Sequence, residues 1–365
     1  MNILIFSWRG PKHPFFGGAE QVTFHHASAW AKAGHRVYLF TSSFVAALPT
    51  EVISGVTIIR QGWQYFGVQF LGMLWYFFGR HPKFDLVVDE IHGLPFFTPL
   101  YVSGKKLGYV HEVAQKVWAL NPWPKPFNLI PAVLGKLGEP LIYQLLYRHI
   151  PFMTVSPSTQ SDLRRWGVSN VTVINNGVTL PETLPQVAKE SLPTFIFLSA
   201  LAKDKGVEDA LKSFSYIKKQ LPQARFWVVG KGDPAYVAYL RRLCGDLPVK
   251  FWGYVSEKEK FTLLAKAHII IFPSVHEGWG LVIIEANAVG TPAVVYPSAG
   301  LVDSTVDGQT GLITKQSTPQ ELADFAVDLF NLPSYAKYCQ SAKKWASQFS
   351  WSKTTTASLA LINSL

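Results

Sequence analysis

The chain has 365 residues, 48% hydrophobic and 16% charged, with a formal net charge of +10 and a pI near 9.4. That length exceeds one ordinary core and fits two domains, and the balanced composition excludes a disordered or fibrous chain. Two distant cysteines, Cys244 and Cys339, in no metal-ligand spacing, give no disulfide framework, so a reducing, cytoplasmic setting is expected.

The opening MNILIFSWRG lacks a basic leader and reads as a buried first strand rather than a signal peptide. Gly17 and Gly18 follow it, where backbone without side chains lets a loop approach a phosphate closely, although an ordinary turn has the same composition. A helix comes next, and His25 and His26 inside it are read as surface or packing residues. RVYLFTS and VTIIRQ continue the strands. Residues 61–79 carry no charge and are long enough to span a bilayer. Gln61, Gln64 and Gln69 interrupt them and aromatic rings dominate, so a packed or membrane-surface helix is expected instead.

DLVVDEI and LGYVHEV place His92, His111 and Glu112 at strand ends. Residues 104–152 then mix Lys105, Lys106, Lys116, Lys125, Lys136 and Arg148 with Trp118, Trp123, Phe127 and Tyr143. Basic residues among amphipathic aromatics suit a surface resting on anionic headgroups, and a long loop packed on its own domain has the same composition. FMTVSP and VTVINNG close this series. The polar, proline-bearing residues 181–193 are the linker candidate.

A second series follows: TFIFLSAL, RFWVVGKG, KFWGYV, HIIIFPS and PAVVYP. Strands alternating with helical patterns indicate parallel α/β units. The expected domains are 1–187, 188–349 and a closing helix at 350–365 that could pack on the first domain. Two doubly wound sheets would present a cleft at the carboxyl ends of their strands, where such sheets bind ligands. The basic balance favours anionic partners. No RNA-binding signature or helix-turn-helix accompanies it, so nucleic acid is not expected.

Residues 276–286, HEGWGLVIIEA, put Glu277 in a strand-to-helix turn and Glu285 more than one turn into the helix. Between them the unpaired N–H groups of Gly280, Leu281 and Val282 offer an anion site. A diphosphate there would leave one carboxylate for hydroxyls on each side, the layout of a nucleotide-sugar. Solvated or capping glutamates produce the same spacing.

In its setting PSVHEGWGLVIIEANAVGTPAVV, the pair resembles the Glu-x7-Glu signature of glycosyltransferase family 4, retaining enzymes of GT-B architecture. FFGGAEQVTFHHASAWAKAGHRVYLFTS, YVHEVAQ, TVSPSTQSDL, KDKGVEDALKSF, WVVGKGD, VKFWGYVS and SAGLVDSTVDGQTGLI resemble further family motifs, in family order over most of the chain. The resemblance implies two Rossmann-like domains and transfer of a sugar from a UDP- or GDP-sugar to a glycan or lipid-linked acceptor. It implies that His111 lies beside the donor sugar, and that Gly17 and Gly18 touch the donor diphosphate or the acceptor. It further implies that Lys205 neutralises the leaving diphosphate, that Tyr254 or Val255 meets the base, and that Glu277 and Gly278 hold the sugar while Glu285 holds the ribose. His92 and Glu112 are acceptor candidates, and closure of the domains would exclude water. No Asp-x-Asp pair occurs, in agreement with metal-independent chemistry and no cofactor.

The chain departs from the family at Ser199-Ala200-Leu201, where Gly-Arg-Leu is usual; an alanine replaces a bidentate phosphate clamp. Lys203, Lys231 and Arg9 are the candidates to compensate. Asp303 stands where the family often has glutamate. Three other classes remain open: a nucleotide-sugar epimerase of the same fold, a catalytically weak nucleotide-sugar-binding protein, and a nucleic-acid binder suggested by charge alone.

Overall fold

A computed structural model describes residues 1–64, 66–120 and 126–365, with Lys116 described by its backbone alone. Trp123, Lys125 and the Lys116 side chain, named above for a headgroup surface, therefore lie outside the described residues. The chain forms two compact units, residues 1–177 with 351–365 and residues 178–350.

The first unit is built on strands β1 (Asn2–Phe6), β2 (Arg36–Thr41), β3 (Thr50–Ile53), β4 (Val56–Arg60), β5 (Leu86–Ile91), β6 (Lys105–Val110), β7 (Phe152–Thr154) and β8 (Val171–Val173). Their order is β3-β4-β2-β1-β5-β6-β7-β8, parallel except for the β3–β4 pair. The inner strands are buried on both faces, which is why they read as continuous apolar runs. Strand β3 is not in the sequence expectation. Its TEVI half faces water, and the tight Ser54-Gly55 turn, with φ of 49° and 80°, folds it back on β4 as a hairpin.

On one face, Leu4, Phe6, Phe40 and Val87 pack against the helix Gly67–Phe78, whose Gly72 sits over Phe6 and Phe40. The charge-free stretch is thus a helix lying on this sheet. On the other face the helix Gly18–Lys32 meets the helix Trp351–Ser364. His26 Nδ1 lies 2.8 Å from Ser358 Oγ, Trp30 Nε1 donates to the same oxygen at 3.0 Å, and His25 stacks on Trp351 at 3.9 Å.

Residues 178–193 hold to the second unit, so the division falls at 177/178 and not at 187/188. Val178 N–H donates to Phe349 O at 3.4 Å, and Lys189 Nζ to Ala267 O at 2.6 Å and Thr291 Oγ1 at 2.7 Å. A polar, proline-bearing composition marks chain without a regular element; it does not say which core that chain lies against.

The second unit contains β9 (Thr194–Leu198), β10 (Arg225–Val229), β11 (Val249–Gly253), β12 (Ile269–Phe272), β13 (Ala293–Val295) and β14 (Gly311–Ile313), all parallel in the order β11-β10-β9-β12-β13-β14. From β9 the chain winds outward to β11, then returns to β12 on the opposite side. The strand order therefore reverses between β9 and β12, and open sheets of this kind bind ligands at the carboxyl ends flanking that point.

Candidate active site

The loops after β9 and β12 carry Lys205 and Glu277. Lys205 closes a short turn, Lys203–Lys205, and Gly206 follows at φ 74°. A side chain there would put its Cβ 2.0 Å from Pro273 O, so only glycine lets this loop approach the end of β12. Val275 N–H donates to Asp204 O at 2.8 Å, joining the two loops. Lys205 Nζ consequently reaches Glu277 Oε1 at 2.9 Å and Asp204 at 3.4 Å. Ser274 Oγ lies 2.9 Å from the same glutamate oxygen. Gly300, at φ 74°, presses on the Glu277 turn so closely that a Cβ would stand 2.3 Å from Glu277 O. The Glu277 and Lys205 side chains keep 16% and 22% of their exposure, enough for a ligand to reach them.

Gly280 caps the helix Leu281–Ala288. The first N–H groups of a helix have no partner inside it, so Leu281 and Val282 present amides beside the Lys205–Glu277 pair's loop. Glu285, one turn on, bonds Lys260 Nζ at 2.8 Å and is 18% exposed. Burial pushes the Glu285 carboxyl above its ordinary pKa against the pull of Lys260. Lys260, bound also by Glu257 at 2.8 Å, is held above its ordinary value by these two acids although burial works the other way.

Beyond the ends of β9, β10 and β11 lies a cavity of about 240 Å³ lined by Ala200, Lys231, Tyr254, Val255, Glu257 and Lys260, among others. It is smaller than the roughly 300–1,000 Å³ of sites that engulf a whole ligand, so it suits one end of a longer one. Tyr254 is 79% exposed and its ring stands 5.5 Å from Lys231 Nζ. Ala200 and Lys231 share this wall. Of the three cations named as compensators, Lys231 is the one that lines the cavity. Arg9 is engaged elsewhere, and Lys203 is exposed.

In the first unit His111 is buried at the end of β6, its Nε2 3.4 Å from Glu90 Oε1 and 3.1 Å from Thr23 Oγ1. Glu90 Oε2 is buried with no hydrogen-bond partner among the described residues. Glu20 gathers the loop after β1: it accepts from Trp8 Nε1 at 2.8 Å, Arg9 Nε at 2.7 Å and Gly17 N–H at 2.9 Å. Burial works to raise its pKa, but the Arg9 guanidinium, His92 and the backbone amides of Glu20 and Gly17 together outweigh this and hold it below the ordinary range. Gly17's amide is thus occupied, which leaves Gly18, the first helical residue, as the glycine able to meet an anion through its N–H. His92 stacks on Trp8 at 4.5 Å, and burial lowers it to about 4, partly opposed by Glu20 and Glu90. Glu112, partly buried, follows His111. Asp303 lies in the short helix Leu301–Ser304.

The structure places Lys205, Glu277, Gly278, Gly280, Leu281 and Val282 beyond the ends of β9 and β12, Glu285 one turn into the following helix, and Tyr254 and Val255 on one cavity wall. Sequence reasoning passed over Glu20, Glu90, Ser274 and Lys260, each a partner of a named residue. Glu20 stands in the FFGGAEQ stretch that resembles a family motif; Glu90 and Lys260 sit in an ordinary strand and helix, and Ser274 in a loop. Among the described residues no cluster of metal-binding side chains occurs.

Residues 16–181 match the model described as Glycosyltransferase Family 4, and residues 182–345 that for Glycosyl transferases group 1. A glycogen synthase of Mycobacterium tuberculosis is 27% identical over 203 residues, covering 52% of this chain and 48% of its own. D-inositol 3-phosphate glycosyltransferase 2 of Catenulispora acidiphila is 28% identical over 292 residues, covering 74% and 65%. The chain spans about half the length of the first of these relatives. Sucrose-phosphate synthase from Thermosynechococcus elongatus superposes with a TM-score of 0.79 at 18% identity, covering 100% of this chain and 98% of that one. HepE of Anabaena, solved with UDP and glucose, gives 0.71 at 18% identity with full coverage of both. These structural likenesses establish the fold, two mostly parallel α/β sheets of GT-B type. Adjoining family models over residues 16–345, in this fold, lead to one conclusion: the chain belongs to glycosyltransferase family 4.

Proposed function

We propose that the protein transfers a sugar from a UDP- or GDP-sugar to a hydroxyl of a glycan or lipid-linked glycan, with retention of anomeric configuration and without a metal. The observation that carries this reading is the 2.9 Å Lys205–Glu277 pair at the point where strand order reverses, beside the amino end of the Leu281–Ala288 helix. A leaving diphosphate is met there by one ammonium and by oriented amides, the electrostatic work a cation does elsewhere. Glu277, with Gly278, holds sugar hydroxyls, Glu285 the ribose, and the Tyr254–Val255 wall the base. On the first unit, Gly18 serves an anionic group, His111 orients the sugar, and His92 and Glu112 serve the acceptor. The bond from the anomeric carbon to the diphosphate oxygen breaks as the acceptor oxygen bonds that carbon on the same face. The acceptor's proton passes to the leaving phosphate oxygen, so no protein base is needed. The protein is assigned to the cytoplasm, at a membrane's inner face.

The test is a nucleotide panel read by thermal shift, UDP and GDP first, followed by donor turnover with the product anomer assigned by NMR. One of the two nucleotides is expected to raise the melting temperature, and turnover to survive a chelator. No shift with either nucleotide sinks the reading; an inverted anomer sinks retention alone. Ala200 on the cavity wall favours a second reading, a binding protein without turnover. Calorimetric donor binding with neither hydrolysis nor transfer would support it.

A further inference from the structure

The residues from Leu129 to Tyr147 form one helical run of 19 residues with mean hydropathy 1.2, and only 17% of its most apolar window is buried. Its polarity is inverted. The inward side carries Glu139, Tyr143 and Tyr147, all buried. Glu139 accepts from the amides of Ala114 and Gln115 at 2.7 and 3.0 Å and from Trp118 Nε1 at 2.9 Å. The outward side carries Ile130, Leu134, Leu137, Leu141 and Leu145 at helical spacing, each at least half exposed. A soluble surface does not present such a stripe without a use for it.

A second apolar strip lies over the same face of the sheet. Val87 and Ile91, each two residues from Asp89 along one side of β5, pack respectively with the core under the Gly67–Phe78 helix and with Tyr143 and Tyr147. Tyr147 donates to Asp89 at 2.6 Å, tying the leucine-bearing run to this side. The second helix exposes Phe70, Phe77 and Phe78 here, with Phe66 just before it.

Charge says what covers these strips. The only carboxylate in residues 126–149 is Glu139, which faces inward, and residues 61–79 have none. Exposed cations flank both: Lys136 and Arg148 on one, Arg80 and Lys83 on the other. Between the leucine-bearing helix and Trp166 runs a cavity of about 710 Å³, its walls including Val133, Leu137 and Pro140, with Lys136 and Arg165 beside them. Arg165 also pairs with Asp162 at 3.1 Å. Apolar floor with cationic rim is the order of polarity that an acyl chain and its phosphate require.

We infer that this face of the first unit seats on a bilayer of anionic phospholipid, the Leu129–Tyr147 run lying in the interface rather than crossing it, since its inner side is engaged by the protein. The inference deepens the proposed transferase by placing it where a lipid-linked acceptor is found, and its test is separable from that reading. The full chain is floated with phosphatidylcholine vesicles, with and without phosphatidylglycerol, at low and high salt. It is expected to float with anionic vesicles at low salt and to be released by high salt. Leu137→Glu with Leu141→Glu, and separately Lys136→Glu with Arg148→Glu, are expected to weaken partition by at least about tenfold. Both pairs are exposed, so the nucleotide-induced thermal shift is expected to stay.

Failure of the parent to float with anionic vesicles overturns the inference. So does flotation of the leucine variant equal to the parent's. A parent dimer that the leucine substitutions split, without vesicle binding, would overturn it in favour of a second copy. Flotation lost in the variants while no nucleotide shift exists in any protein would sustain it and sink only the transferase reading.

Discussion

Lys205 and Glu277 lie on loops 72 residues apart in sequence, yet their charged atoms stand 2.9 Å apart, so each fixes the other's place. Lys205→Ala is expected to lower kcat about 100-fold or more, the scale of one lost transition-state donor, with a smaller change in donor KM. An unchanged kcat would remove the lysine from the leaving-group role. Lys231→Ala is expected to act the other way, raising donor KM about tenfold with kcat nearly kept, if that lysine stands in for the arginine missing at Ala200. A different residue, His26, contributes to acid sensitivity, as do His92 and His268, which burial also lowers. Burial lowers His26 to about 3, with His111 and His25 adding to the effect. The unfolded chain takes up this proton near pH 6.5 while the native one refuses it, so stability is full above that value and falls as pH drops toward 3. The loss from this group at pH 4 is on the order of 3 kcal/mol. His26→Leu is expected to lessen, without abolishing, the fall of the melting temperature between pH 7 and 4, checked by calorimetry. At this scale the sequence shows which residues are chemically able to act. The family resemblance singles out Glu277 and Lys205, but not that Lys260 answers Glu285 or that Glu20 occupies Gly17, because partners are chosen by the fold.

Elements set those distances. The Lys203–Lys205 turn reaches β12 because Gly206 adopts φ 74° with Pro273 O where a side chain would be. Gly206→Ala is expected to cost about 2–3 kcal/mol and to abolish the nucleotide-induced thermal shift, since Lys205 moves with the loop. Retention of both the stability and the shift would show that the loop's approach is not required. The other strands, β3 and β14 apart, were legible because most of them are buried, unbroken apolar runs. Strand β3 escaped because its side chains are half in water, and β14, only three residues long, lies inside a stretch that reads as loop. The helix at residues 129–147 is not in the sequence expectation, which gives residues 104–152 as a headgroup surface or a long packed loop. Its leucines advertise burial by periodicity, and the structure turns them outward and puts the acid and two tyrosines inside. Hydrophobic period reports that a helix has two sides; it does not report which side meets protein.

At the scale of the whole chain, the closing helix Trp351–Ser364 belongs with the first unit. Deleting residues 351–365 is expected to expose Trp30 and His26 and to leave Trp30 Nε1 without its acceptor and His26 Nδ1 without its hydrogen-bond partner. The melting temperature of the first unit should fall by several degrees, with a red-shifted tryptophan emission as the check; an unaltered melt would mean the helix contributes no packing. That the last helix would lie over the first domain was an open expectation from sequence, since nothing in WSKTTTASLALINSL names its neighbour. Residues 178–350, by contrast, run without interruption, and their two ends meet where Val178 pairs with Ser350. The second unit is therefore topologically an insert, threaded into its host at one locus. A gene segment encoding it alone has adjacent termini and could be closed by a short loop or reopened elsewhere, while the host requires only that residue 177 be rejoined to 351.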